Sequence, residues 1–284
     1  MRPVWLCVAI SIAAPLAAAP QQALFSSRTV VVRVDVFATD KGKPVAGLTA
    51  DDFELLDNGV PQHIRLADSD ALPANVVLAF DTSASTSGQS LQDLVSAGEQ
   101  LLDDLKPIEP AGLTTFSRAV SLRIALTTDH TAVRDVLRRV TPIGDTSAID
   151  GIYVAMMSAQ LVDGRPLVVV FTDGVDTASW MQPAELLDAA KRASAVVYTV
   201  ATGDARNWSL LAQVSDATGG RAIKLESSKD LRAEFQKILA EFRSRYLISF
   251  VPNDVSESGY HRLTVRSTRR GVDVKSRPGY QAGK

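Results

Sequence analysis

Val76-Val77-Leu78-Ala79-Phe80-Asp81-Thr82-Ser83-Ala84-Ser85 is an apolar run that ends abruptly in a carboxylate and two alternating hydroxyls. A short, continuous apolar segment of this kind reads as a strand covered on both faces, which is how the strands of a parallel sheet between helical layers look. In open α/β sheets the ligand lies outside the carboxyl ends of the strands. Asp81, Ser83 and Ser85 therefore stand where a site is expected. One carboxylate and two hydroxyls on a tight loop are hard oxygen donors suited to Mg2+, Ca2+ or Mn2+, whereas zinc and copper favour nitrogen or sulfur.

Outward from this stretch, short apolar runs alternate with helical periodicity. Strands are expected over 75–80, 112–116, 122–126, 166–172, 196–200 and 222–225, and helices over 91–105, 131–140, 149–161, 183–193 and 208–218. Leu91, Leu94, Val95, Leu101, Leu102 and Leu105 keep one apolar stripe along the first helix. The alternation implies an α/β fold, a doubly wound, mostly parallel, Rossmann-like sheet. An amphipathic helix over 228–243 then leads without a linker into strands at 246–251, 259–266 and 271–275. Before the α/β segment, a strand at 29–37 and extended segments at 50–56 and 62–66, punctuated by Gly42-Lys43-Pro44 and Asp57-Asn58-Gly59, read as an antiparallel meander. Each β-rich end is too short to bury a core alone. The two are expected to pair into one small β-domain flanking the α/β domain. The resulting division is 1–22, a leader; 23–72, β-rich; 73–243, α/β; and 244–284, β-rich.

Two further loops lie on the same edge of the sheet. Gly144-Asp145-Thr146-Ser147 precedes one helix, and Thr172-Asp173-Gly174 follows a strand. With Asp81-x-Ser83-x-Ser85, then Thr146, then Asp173 in this order, residues 74–243 resemble a von Willebrand factor type A (vWA) domain with a metal-ion-dependent adhesion site (MIDAS). The resemblance implies that Ser83 and Ser85 bind Mg2+ (or Mn2+ or Ca2+) directly, Thr146 directly or through water, and Asp81 and Asp173 mostly through water. A metal held by few direct charges stays electrophilic and takes a carboxylate from a partner protein, so the implied function is metal-dependent adhesion. The flanks resemble a bacterial, exported vWA-related family through Gly42-Lys43-Pro44-Val45, Gly47-Leu48-Thr49, Asp52-Phe53, Asp57-Asn58-Gly59 and Ile64, and through the runs 246–252 and Arg277-Pro278-Gly279-Tyr280. Capping is the competing role for any one of these Asp, Ser or Thr residues, Thr146 included.

Function classes narrow further. Thirty Lys and Arg against thirty-two Asp and Glu leave a net charge of −2, with no overall positive field for nucleic acid or anionic lipid. No Gly-x-Ser-x-Gly elbow, Walker loop or dinucleotide fingerprint occurs, so the chain reads as a non-enzyme, with a structural envelope role as the alternative to adhesion. Residues 1–22 carry Arg2, an apolar run and Ala17-Ala18-Ala19, the pattern of a secretory signal peptide, and hold the sole cysteine, Cys7. Export to the periplasm or beyond is therefore expected, in a mature chain without thiols and without a membrane span. His63, His130 and His261 share no ligand spacing and read as surface residues; Asp129, Asp145, Asp150 and Asp176 read as solvated loop carboxylates. Asn207-Trp208-Ser209 fits a glycosylation pattern that arises often by chance.

Overall fold

In the computed structural model the described residues are 31–67, 72–173, 175–203 and 208–283. The leader read over 1–22, with Cys7, lies outside them, as do Gly174 and Asn207. The decisive run forms β6 (Ala74–Asp81), every residue of which is buried. It lies between β9 (Arg165–Thr172) and β7 (Ala111–Phe116), parallel to both. Outside these run β10 (Val196–Thr202) and β11 (Ala222–Leu225), also parallel, giving the order β11-β10-β9-β6-β7-β8. The one antiparallel member is the edge strand β8 (Val120–Thr127), joined to β7 by a tight connection too short for a parallel crossover.

Alternate side chains of β6 serve opposite layers. Val76, Leu78 and Phe80 pack with α1 (Gln89–Asp104), α2 (His130–Leu137) and α6 (Leu231–Arg243), whose Leu94, Leu101, Val133, Leu137, Phe235 and Phe242 fill one core. Val77 and Ala79 face α3 (Ala148–Ala159), α4 (Pro183–Arg192) and α5 (Trp208–Ala217) through Ile152, Met156, Leu186, Leu211 and Val214. Gly151 lets α3 close on β7: a Cβ there would lie 2.4 Å from the Phe116 ring. The helix expected from 228 starts at Leu231, after a 3-10 turn over Ser228–Asp230. Among the described residues, no helix is long and apolar enough to cross a membrane.

The terminal strands interleave. β1 (Val32–Asp40) pairs with β2 (Lys43–Pro44), β12 (Tyr246–Phe250) and β14 (Val272–Lys275), and β5 (Ile64–Ala67) pairs with the far side of β12. A second sheet runs β15-β13-β3-β4, from β3 (Phe53–Asp57), β4 (Val60–Pro61), β13 (Gly259–Ser267) and β15 (Gly279–Ala282). The expected meander does not form. β1 and β5 flank a C-terminal strand, and β3 belongs to the other sheet. The apolar sets explain this: Val32, Val34, Val36 and Ala38 from one sheet and Phe53, Leu55, Leu263 and Tyr280 from the other share a core that sequential pairing would open to solvent. Residues 50–52 form a 3-10 turn rather than extended chain.

A charged seam joins the sandwich to the α/β unit. Arg165, 5 % exposed at the start of β9, pairs with Asp35 of β1 and donates to the carbonyls of Phe242, in the last turn of α6, and of Arg245, just past its end. Arg245 is fully buried, bonded to Tyr198 Oη and the Gly219 carbonyl, both at 2.8 Å, and stacked over Phe37 of β1. Burial raises the Tyr198 phenol above its ordinary range, helped by Glu241, whose carboxylate takes its hydroxyl hydrogen bond at 2.6 Å.

Candidate functional site

Parallel registry brings the site together. Phe80 pairs with Phe171 across β6 and β9, so Asp81 meets Thr172 and Asp173 at the ends of adjacent strands. The Asp81 carboxylate is buried. Its Oδ1 accepts from the Ser83 amide at 2.9 Å and its Oδ2 from the Thr172 hydroxyl at 2.6 Å. Ser83 Oγ lies 3.0 Å from Ser85 Oγ, which donates to Asp173 Oδ1 at 2.9 Å. Asp81, Ser83, Ser85 and Asp173 thus form one hydrogen-bonded string along the sheet edge. Thr86, buried at the end of the 3-10 turn Ala84–Thr86, closes it with a 3.1 Å bond to Asp173 Oδ1.

Thr146 stands on the adjoining loop and, among the described residues, makes no hydrogen bond to those four. Two backbone bonds stitch its loop to theirs: Ala84 N donates to the Gly144 carbonyl at 3.0 Å, and Ile143 N to the Thr82 carbonyl at 2.8 Å. Gly144 turns there at φ +72°, a conformation natural to glycine. Thr146 is buried, donates its amide to Thr177 Oγ1 and accepts from Thr177 and Ala178 N–H at its carbonyl. Capping of α3 falls to other groups. Asp176 Oδ2 accepts from Ile149 N at 2.9 Å, and Ser179 Oγ from Asp150 N at 3.2 Å.

Three of the four carboxylates expected on solvated loops are structural, and one of them, Asp150, stands in the first turn of α3. Asp176 caps α3; Asp150 accepts from the Trp180 and Met181 amides at 2.9 and 3.0 Å; Asp129 caps α2 through Ala132 N. Asp145 is exposed, as expected. Of the histidines, His63 is exposed and His130 half-buried on the Glu109 carbonyl. His261 is no surface residue. It is fully buried, with Nδ1 2.8 Å from Asp57 Oδ1 and Tyr280 Oη donating to Asp57 Oδ2 at 2.7 Å. Thr172 and Thr86 are the members that the sequence reading missed; each adjoins a recognised member or lies one position beyond one.

These residues suit a divalent cation. Two carboxylates are linked through the Ser83 amide and the Ser83 and Ser85 hydroxyls, and among the described residues neither Asp81 nor Asp173 forms an ion pair with Lys, Arg or His. Burial is the main cause that raises the Asp81 carboxyl above its ordinary value; hydrogen bonds from Ser83 and Thr172 pull it down, and the Asp173 charge adds to the rise. Such a carboxylate gains from a positive ion beside it. Among the described residues no cluster of three or more His, Cys, Asp or Glu offers a different metal centre.

The sequence is 24 % identical over 189 residues to human inter-alpha-trypsin inhibitor heavy chain H4, a match covering 60 % of this chain and 20 % of that protein. The chain thus spans about a fifth of that relative. A von Willebrand factor type A protein from Catenulispora acidiphila superposes with a TM-score of 0.55 at 11 % identity, covering 90 % of this chain and 75 % of that one. Proximal thread matrix protein 1 from the mussel byssus, in a form with a zinc-occupied MIDAS motif, gives 0.55 at 16 % identity over 65 % and 49 % of the two chains. The family model for the von Willebrand factor type A domain matches residues 75–237, more than half the chain, and the chain belongs to that family.

Proposed function

We propose that this is an exported binding module that holds one divalent cation at Asp81, Ser83, Ser85, Thr146 and Asp173 and uses it to capture a carboxylate of a partner protein. The observation that carries the reading is the string Asp81–Ser83–Ser85–Asp173, anchored on a buried carboxylate that no basic side chain neutralises among the described residues. Bound there, the cation supplies an electrophile for a partner's acidic side chain. The protein's own part is to fix the donors. Strand registry sets Asp81 beside Asp173, Thr172 orients the Asp81 carboxylate, and the bonds through Ala84 and Ile143 hold the Thr146 loop against the first loop. With the hydroxyls as direct donors and Asp81 and Asp173 acting mostly through water, as the family resemblance implies, the ion would keep charge for a partner's carboxylate.

A binder is favoured over a hydrolase by the hydroxyls themselves. Ser83 and Ser85 are bonded to each other and Ser85 to Asp173, and among the described residues neither is bonded to a histidine base. Mg2+ is the ion proposed, with Mn2+, Ca2+ and Zn2+ as the comparison set. The test is affinity isolation on the immobilised full chain from extracts of its own cells. Partners should be retained in Mg2+ and released by chelator, and should be missing from Ser83→Ala in either buffer. Retention of the same proteins by Ser83→Ala, or in chelator, contradicts metal-dependent capture and leaves a scaffold role.

A further inference from the structure

Asp150 spends its whole carboxylate on the amides of Trp180 and Met181, so the loop after β9 is held firmly while the Trp180 ring projects into solvent, 92 % exposed. The ring borders an open groove of about 500 Å³ floored by Val120, Tyr153, Val154 and Met181. Ser147, next to Thr146, lines the same groove, and Thr146 accepts hydrogen bonds from Thr177 and Ala178 of the Trp180 loop, so groove and metal loops are continuous. At the rim stands Arg118, exposed and in no ion pair among the described residues; a Cβ on Gly144 would touch its Cβ at 3.4 Å. Tryptophan, tyrosine and arginine are the residue types that dominate binding energy at protein interfaces, and an isolated exposed guanidinium selects an acidic group.

We propose that this groove is the second half of the partner site: it accepts a protein segment with an apolar side chain beside the metal-seeking acid and a second acidic residue directed at Arg118. The inference rests on the metal-capture reading. It adds the chemistry that would distinguish one acidic partner from another, since a cation alone accepts any carboxylate.

The test selects a displayed random peptide library on the full chain in Mn2+, with elution by acid, and measures affinities of the selected synthetic peptides with Mn2+ and with chelator. Selected sequences should pair an acid with a bulky apolar residue and carry a second acid. Trp180→Ser should weaken them by about tenfold or more, with Mn2+ binding measured by calorimetry unchanged. Arg118→Glu should remove the preference for the second acid, again with Mn2+ binding intact. Unaltered melting curves check that both variants fold. Peptides that need only an acid and bind Trp180→Ser as well as the parent overturn the groove while leaving metal capture standing. Absence of Mn2+ binding by the parent, or peptide binding indifferent to chelator, overturns metal capture and the groove with it. A dimer in sedimentation that Trp180→Ser dissolves would assign the face to self-association and overturn the proposal.

Discussion

Asp81 sits where its position in the strand would favour an aliphatic side chain, and ionising it there costs solvation that an amide and a hydroxyl only partly return. Because its folded value is raised, its protonated form stabilises the metal-free fold at low pH, and this contribution is lost as pH rises through the folded value. In chelator at neutral pH, Asp81→Asn should therefore melt above the parent, and the gap should close on acidification; a variant that melts lower at all pH values would show the carboxylate to be well satisfied without a cation. Asp57 is held by both His261 and Tyr280, so Asp57→Ala should cost about 3 kcal/mol by stranding buried polar partners, read as a shift in urea midpoint. The Asp-x-Ser-x-Ser pattern was legible because spacing and strand position coincide. His261 was not, although alternation along β13 puts it on the same face as buried Leu263; a lone histidine carries no signal until its partner, 204 residues away, is known.

Helices and strands of the α/β unit follow their apolar periodicities to within a few residues, because each buries its own stripe. Pairing partners in the sandwich did not follow from the sequence. Turn signals say where a strand ends, not which strand it joins, and β1 finds β12 more than two hundred positions away. The seam shows the same limit, since Asp35 and Arg165 are charges that a local reading puts in solvent. Side chains 10 % and 5 % exposed make this pair a buried one. Removing one partner leaves the other uncompensated, so Asp35→Ala should destabilise by about 3 kcal/mol, seen as a lower melting temperature. Replacing both by apolar residues of similar size should restore part of it. A loss under about 0.5 kcal/mol would mean that water reaches the guanidinium and that the pair behaves as a surface bridge.

At the scale of the whole molecule, a sandwich built from both ends of the chain and an α/β sheet share a charged seam, while the candidate metal loops lie at the opposite, carboxyl end of the strands: Arg165 begins β9 and Thr172 ends it. This places the candidate metal edge away from the sandwich. Whether this edge holds a divalent cation is read from calorimetric titration of Mg2+ and Mn2+ into the full chain and into Asp81→Ala. One ion per chain is expected for the parent and none for the variant. Equal binding by the two, or no binding by the parent, would contradict it.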